Sequence, residues 1–412
     1  MRLFESGDRI VFLSTPFFRE DTFARLLRNF YFTRFPGIRL ETFQSVLPPG
    51  NAELMQTLLK KEVIAGKVTG AVLHFDIRDF APDPHMLFAP GEAGHAQRIQ
   101  AMTRYHDTLE DAVKRLAEAG IPAMLLSPLP PGRSRLRSGG QAEGDADDLA
   151  DRCVEISARL AECHGMEFLD VLAPMRKLAA AMRENTVERR KDDPRKTPPA
   201  PDDAPPDLPS YAVMASLFLE AQKAPRRIFS AELGFSCVEE NCSVSEIRME
   251  ESGPTFHLTP FALPYPPFEE RAEADRRIAF SEKWNHMRLA VRGISRGVYT
   301  LFVNGACFQK FSSEELEQGI RLDLKSPRSE RIGELNRMYE DLQIQLRGLS
   351  PWNLRAAEKE SPDKAAAREE SGFQTGNGEE ELRTRLRILS EELRIPFRPD
   401  TCKLELKRIG CP

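Results

Sequence analysis

Short apolar runs alternate with longer amphipathic segments over residues 1–225 of this chain. The short runs have the length and composition of buried strands, and the longer segments place apolar residues at helical spacing. Because neighbouring parallel strands need a helix-length connection, this alternation predicts an α/β domain in which helices flank a parallel sheet. We expect its strands at 10–13, 38–43, 70–75, 123–126 and 167–171.

After residue 225 the pattern changes to strands with period-two alternation. Between 226 and 325 these strands, with a hairpin signal at Asn304-Gly305, predict a small β-sandwich-like module. An amphipathic helix is expected at 326–352, a polar linker at 353–381, and a helix-strand tail at 382–412.

Two polar stretches within the first domain, 132–148 and 184–210, have compositions that favour mobile loops.

Composition excludes several functional classes. A formal net charge of −5 gives no basic footprint for nucleic acid. No apolar run approaches the roughly 20 residues that span a bilayer. The N-terminus lacks the basic and apolar regions of a secretory signal, so we expect a cytoplasmic protein. Seven scattered cysteines predict neither a disulfide scaffold nor a metal site, and no motif indicates a cofactor.

Several blocks in fixed order resemble the SGNH/GDSL hydrolases, a family of lipase-like and esterase-like enzymes. The strand ending in Ser14-Thr15-Pro16 stands where that family has Gly-Asp-Ser, and Phe75-Asp76-Ile77-Arg78-Asp79 stands at its Gly-x-Asn-Asp motif. Further matching segments are 125–130, 167–175 and 206–215. Residues 226–352 are similar to the C-terminal extension of a bacterial branch. The resemblance covers about residues 7–352 and implies a flavodoxin-like parallel sheet.

The family's catalytic residues are substituted at the matching positions. The resemblance puts Pro16 at the nucleophile, Arg78 at the oxyanion asparagine, Pro205 at the histidine base, and Asp202 at the aspartate that orients it. Ester hydrolysis by this mechanism needs a hydroxyl nucleophile, a base and oxyanion donors. Proline supplies none of them, so the inherited triad is absent.

Other side chains near the strand ends offer a substitute site. Ser14 and Thr15 carry hydroxyl groups, whereas Asp76 and Asp79 form either an acid–base pair or, for one of them, an ion pair with Arg78. Three histidines are candidate bases: His74 within a strand, and His85 and His95 after it.

These observations favour a non-catalytic relative of the hydrolases that acts as a binding or regulatory module for a small polar or carbohydrate-like ligand. The alternative is an active ester or carbohydrate-ester hydrolase with a rebuilt active site. A third hypothesis is a scaffold whose helix at 331–349 docks a partner or a second copy. The oligomeric state stays open.

Overall fold

The computed structural model describes most of the chain. The described residues are 1–15, 22–46, 56–83, 86–87, 89, 91–129, 140–178, 180, 208–267, 280–348, 375–395 and 400–409. The chain divides into two compact units. The first unit comprises Met1–Leu27, Arg39–Ala224 and Leu342–Glu379, and the second unit comprises Arg28–Ile38, Pro225–Asp341 and Glu380–Pro412.

Strands alternate with helices in the first part of the chain, and most elements in the later part are strands. The strands are β1 Arg9–Ser14, β2 Glu41–Val46, β3 Gly70–His74, β4 Ala123–Leu126, β5 Glu167–Leu169, β6 Arg227–Leu233, β7 Val238–Glu240, β8 Cys242–Glu250, β9 Gly253–Pro260, β10 His286–Val291, β11 Val298–Val303, β12 Ala306–Ser312, β13 Ile320–Leu322 and β14 Cys402–Arg408. The α-helices are α1 Thr22–Arg34, α2 Gly91–Glu118, α3 Gly140–Cys163, α4 Leu208–Ala221, α5 Phe280–Trp284, α6 Ser313–Gln318, α7 Pro327–Gly348 and α8 Thr375–Arg394.

The first unit contains a five-stranded parallel sheet in the order β2-β1-β3-β4-β5. One face of the sheet packs on α2 and α3 through a core that includes Leu13, Leu73 and Leu109. On the opposite face Phe12 contacts Phe23 of α1 edge-to-face, with ring centroids 5.7 Å apart. Because both faces are covered, the strands are apolar almost throughout, as expected for a parallel sheet.

The second unit contains two sheets. One is four-stranded, in the order β13-β10-β6-β7, and the other is five-stranded and antiparallel, in the order β12-β11-β14-β9-β8. Residues of both sheets share one apolar core, among them Leu289 and Leu301. These findings confirm the predicted fold class, an α/β domain with helices on its parallel sheet and a β-rich module after it. The Asn304-Gly305 hairpin joins β11 to β12, and both residues have positive φ values of 50° and 83°.

The last strand differs from its expected place in a tail. β14 lies inside the five-stranded sheet, hydrogen-bonded to β9 on one side and β11 on the other. Its alternating side chains Leu404 and Leu406 are 0% and 1% exposed. The sequence shows that this segment has a strand pattern, but pairing with strands about 100 and 150 residues earlier is a long-range contact that local pattern does not encode.

Two helices begin within stretches that we expected to be a mobile loop and a linker. α3 starts at Gly140, within the stretch 132–148 that was expected to be a mobile loop. Four of its first nine residues are acidic, which favours a helix N-terminus because negative charge complements the helix dipole. α8 starts at Thr375, within the expected linker 353–381. Residues 181–207, which contain most of the second expected loop, lie outside the described residues.

No helix in the described part of the chain is long and apolar enough to cross a membrane.

We predict that Leu404→Ala lowers the free energy of unfolding of the β-rich unit by about 2–5 kcal/mol, because it leaves a cavity in a closed core. Ile409→Ala is the matched control: Ile409 follows the same strand but is 41% exposed, so its truncation should cost less than about 1 kcal/mol. Urea unfolding of the two variants measures the difference. Equally small losses of unfolding free energy in the two variants would show that Leu404 of β14 does not belong to a closed core.

Candidate functional site

The carboxyl ends of β1 and β3 form the edge where a parallel sheet of this type usually carries its site. β1 ends at Ser14, with Thr15 directly after it, and β3 ends at His74, followed by Phe75 and Asp76. A 3₁₀ turn over Ile77–Phe80 then carries Arg78 and Asp79. Parallel pairing therefore brings together polar residues that are about 60 positions apart in the sequence.

Ser14 is held in a buried polar environment on one face of the sheet. The amide nitrogen of Gln44, on β2, donates a hydrogen bond of 3.0 Å to the Ser14 hydroxyl oxygen. Ser14 is also the register partner of His74, so the two side chains lie on adjacent strands and on the same side of the sheet. Ser14 and His74 are 1% and 2% exposed.

Thr15 ties β1 to the turn after β3. Its hydroxyl oxygen accepts a hydrogen bond of 2.9 Å from the backbone N–H of Asp76. Thr15 is 1% exposed, like its neighbour Ser14. Both hydroxyl groups at the end of β1 therefore contribute to local structure and are covered.

Asp76 and Arg78 form the strongest polar interaction at this edge. The guanidinium group donates from Nε to Asp76 Oδ1 at 2.7 Å and from Nη2 to Asp76 Oδ2 at 2.6 Å. The backbone N–H of Arg78 donates to the same carboxylate at 2.9 Å, which caps the 3₁₀ turn. Asp76 is 1% exposed, and the Arg78 side chain is 11% exposed. A bidentate pair of this kind has fixed geometry as well as strength.

The ion pair sets the charge state of the site. Burial alone would raise the pKa of Asp76, but the charge of Arg78 and its hydrogen bonds outweigh burial and hold that pKa below its ordinary value. Burial lowers the pKa of His74 to about 4; the negative charge of Asp76 opposes this shift, and the positive charge of Arg78 adds to it. At neutral pH the site therefore contains an ionised pair beside an uncharged imidazole.

Three further buried groups belong to the helices that cover the sheet. Tyr105 of α2 and Ser157 of α3 are joined by a hydrogen bond of 2.8 Å between their hydroxyl groups. Burial raises the pKa of Tyr105 and of the Cys153 thiol, and the charge of Asp76 adds to both increases. Cys153 is therefore a protonated core thiol and not a reactive thiolate.

A second group of polar contacts joins the segments that follow β4 and β5. The Ser127 hydroxyl oxygen accepts hydrogen bonds from the backbone N–H groups of Val171 and Leu172, at 2.8 and 2.9 Å. The Asp170 carboxylate lies 3.2 Å from the same hydroxyl and also accepts from the Leu172 N–H. Ser127 is 0% exposed, so these contacts support the loop and present no accessible nucleophile.

The structure brings five of the sequence-derived candidates together at this edge: Ser14, Thr15, His74, Asp76 and Arg78. It leaves His95 exposed on α2. Of the two arrangements expected for the aspartates, Asp76 adopts the ion pair with Arg78, whereas Asp79 is half-buried in the turn. The remaining candidates lie outside the described residues: Pro16, His85, Asp202 and Pro205.

Sequence reasoning missed two residues of the site, Gln44 and Ser127. Gln44 is the register partner of Phe12 and shares a face with Ser14, which follows only from strand pairing. Gln44 directly follows the strand predicted at 38–43, and its polar side chain there was the one available signal. Within the described residues no group of three or more His, Cys, Asp or Glu side chains is arranged to hold a metal ion.

No protein-family model matches this sequence, and no curated protein matches it either. Among solved structures, a gut microbial diltiazem-metabolizing enzyme is similar over 99% of both chains, with a TM-score of 0.77 and 20% sequence identity. An acetylxylan esterase from Geobacillus stearothermophilus matches 55% of this chain and 98% of its own, with a TM-score of 0.40 and 13% identity. An α/β hydrolase enzyme from the metagenome of Lake Arreo, Spain, matches 53% and 97%, with a TM-score of 0.36 and 20% identity. The first likeness shows a shared fold.

We predict that Asp76 and Arg78 are strongly coupled in stability. Asp76→Asn or Arg78→Gln alone should lower the free energy of unfolding by about 3–5 kcal/mol, because each leaves a buried polar group without its partner. The double variant should lose much less than the sum of the two. The exposed Asp111–Arg115 pair, joined at 2.9 Å, is the control cycle, with an expected coupling below about 1 kcal/mol. Additive losses at Asp76 and Arg78 would contradict the interpretation.

A second prediction concerns acid stability. The unfolded chain protonates His74 near its ordinary pKa of 6.5, whereas the folded protein does so only near pH 4. The folded state therefore loses stability as the pH falls from about 6.5 to 4, by up to about 3 kcal/mol. Because the pKa of Asp76 is also lowered, its contribution is lost at still lower pH, below about 4.

The pH dependence of urea unfolding checks the assignment to His74. His74→Gln should flatten the curve between pH 6.5 and 4. His106→Gln, at a histidine with a 43% exposed side chain, is the comparison variant. A wild-type curve with no slope in this range would show that the folded protein protonates His74 normally.

Proposed function

We propose that this protein is a non-catalytic relative of the hydrolases with which it shares its fold, and that its sheet edge serves a binding or regulatory role. The observation that carries this proposal is the buried Asp76–Arg78 ion pair. The resemblance places Asp76 and Arg78 at the glycine and the asparagine of the family's oxyanion motif. The polar groups at these two positions are therefore committed to each other.

The ion pair opposes ester hydrolysis for an electrostatic reason. Acyl transfer is accelerated by hydrogen-bond donors aimed at the oxygen on which negative charge develops. Here three donors of Arg78, its backbone N–H, Nε and Nη2, point at the Asp76 carboxylate. Donors that are occupied by a carboxylate do not stabilise a developing oxyanion, so the transition state gains nothing from them.

The hydroxyl groups and the base support the same conclusion. Ser14 and Thr15 are each 1% exposed, so a substrate carbonyl has no direct access to either oxygen. A base with a pKa of about 4, as burial gives His74, takes up a serine proton poorly at neutral pH. We propose that the scaffold instead presents a small polar or carbohydrate-like ligand site at this edge.

One arrangement favours the alternative, an ester hydrolase with a rebuilt site. Ser14, His74 and Asp76 occur in the order nucleophile, base and acid at the ends of two paired strands, and Ser14 and His74 are register partners. Activity from this set would require the covered Ser14 hydroxyl to become accessible and the Asp76 carboxylate to turn from Arg78 to the imidazole.

Ester hydrolysis by the purified full-length protein tests the two functions. We expect no turnover of p-nitrophenyl acetate or of diltiazem above the rate of the Ser14→Ala and Thr15→Ala variants. Ser295→Ala, at an exposed serine in the second unit, controls for slow reaction of surface hydroxyl groups. Multiple turnovers that Ser14→Ala or Thr15→Ala abolishes and Ser295→Ala preserves would overturn the proposal and establish the rebuilt hydrolase.

A further inference from the structure

Several arginines lie on the face of the four-stranded sheet that points away from the apolar core of the second unit. Along β10 the residues Met287, Leu289 and Val291 belong to the apolar core. Because side chains alternate along a strand, His286, Arg288 and Arg292 lie at the positions that face away from that core. All the residues involved belong to the second unit.

Two of these arginines are direct neighbours across strands. Arg288 of β10 and Arg321 of β13 are antiparallel register partners, which places their Cα atoms about 4.5–5.5 Å apart. Like charges at directly opposed positions of a sheet destabilise it. This pair therefore lowers the stability of the sheet, unless a negative group lies between the two side chains.

Neighbouring carboxylates neutralise this positive charge incompletely. Glu232 of β6 lies 2.9 Å from Arg292 and 3.8 Å from Arg288, so one carboxylate serves two guanidinium groups. In the part of the chain that the structure describes, Arg321 has no carboxylate partner, and its Nη2 donates to the backbone carbonyl of Glu282 at 2.7 Å. Three guanidinium groups thus share one negative charge.

Arg288 is held in position by the backbone beneath it. Its Nη2 donates to the carbonyl oxygen of Gln318 at 2.8 Å. The guanidinium group lies against Gly319, where an added Cβ would come within 2.5–2.6 Å of its atoms. Gly319 also has a φ of 98°, which disfavours any other residue. A fixed arginine loses little conformational entropy when it binds an anion.

We propose that Arg288 and Arg321 form a binding site for an oxyanion group, a carboxylate or a phosphate, on a small ligand. Arginine is suited to this role because its planar donor groups match the geometry of both anions. The surrounding field is consistent with the site: burial lowers the pKa of His286, and the charges of Arg321, Arg226 and Arg227 lower it further. This site is independent of the sheet edge in the first unit, so neither proposal rests on the other.

Calorimetric titration of the full-length protein at low ionic strength tests the site with two probes, inorganic phosphate and trigalacturonate. The methyl ester of trigalacturonate is the neutral control. We expect one or both anionic probes to bind and the neutral ester not to bind. Binding of phosphate alone would identify a phosphate-bearing ligand, and binding of the uronate alone a carboxylated sugar. Added salt should weaken the binding because it screens exposed charges.

Variants locate the binding. Arg321→Gln should weaken it about tenfold or more, since a charge-assisted contact is lost. Arg296→Gln is the matched control, because Arg296 is 93% exposed, belongs to the same unit and pairs with Glu314. Gly319→Ala should also weaken binding by displacing Arg288. Arg321 is exposed, and its replacement by Gln removes one of two opposed positive charges, so the unfolding midpoint of this variant should equal or exceed that of the wild type.

Nuclear magnetic resonance gives a second readout that a purely structural role would not change. A bound anion should raise the pKa of His286 in the wild type and leave it unchanged in Arg321→Gln. Failure of both probes to bind the wild type would overturn the proposal. Equal binding by wild type and Arg321→Gln would overturn it as well, and would assign the anion to another place.

Discussion

The ion pair between Asp76 and Arg78 is the interaction on which the sheet edge of the first unit depends. It joins a carboxylate that is almost completely buried to a guanidinium group at the start of a 3₁₀ turn. Burying one of these charges alone would cost several kcal/mol, roughly, and each residue offsets that cost by neutralising the other. The backbone of Asp76 also donates to Thr15, which links the pair to the end of β1. The edge is thereby fixed, and its charges are balanced internally.

A shared fold does not by itself determine the chemistry of this edge. A scaffold of parallel strands brings the same positions together whatever side chains they carry, and chemistry follows from those side chains alone. The similar fold of a gut microbial diltiazem-metabolizing enzyme therefore describes the scaffold, at 20% identity. In this chain the described positions at the edge carry a buried hydroxyl pair, an uncharged imidazole and a closed ion pair.

The second unit distributes its charge differently. Its sheet holds arginines on an outward face, where water and salt reduce the cost of unpaired charge. Arg288 is nevertheless positioned by Gln318 and Gly319, and Arg321 lies opposite it. A preorganised pair of cations on a surface is a feature for recognition of an external group, whereas a buried pair of opposite charges serves the fold itself.

Local pattern was sufficient for the elements that form through local contacts or complete burial. The apolar runs at β1, β3 and β4 predicted strands, and their alternation with helices predicted a parallel sheet, because only such a sheet buries both faces of every strand. The Asn304-Gly305 turn was equally clear, since few other dipeptides accept two positive φ values.

The tertiary structure decided which residues interact with each other. Register sets Ser14 beside His74 and brings Gln44 to Ser14, and no periodicity in the sequence specifies which residues face each other across strands. Likewise, β14 looked like part of a tail until its pairing with β9 and β11 placed it inside a sheet. The sequence by itself determined which groups are present and which elements they form. The fold decided which of those groups are buried, paired and charged, because these properties depend on neighbours that are distant along the chain.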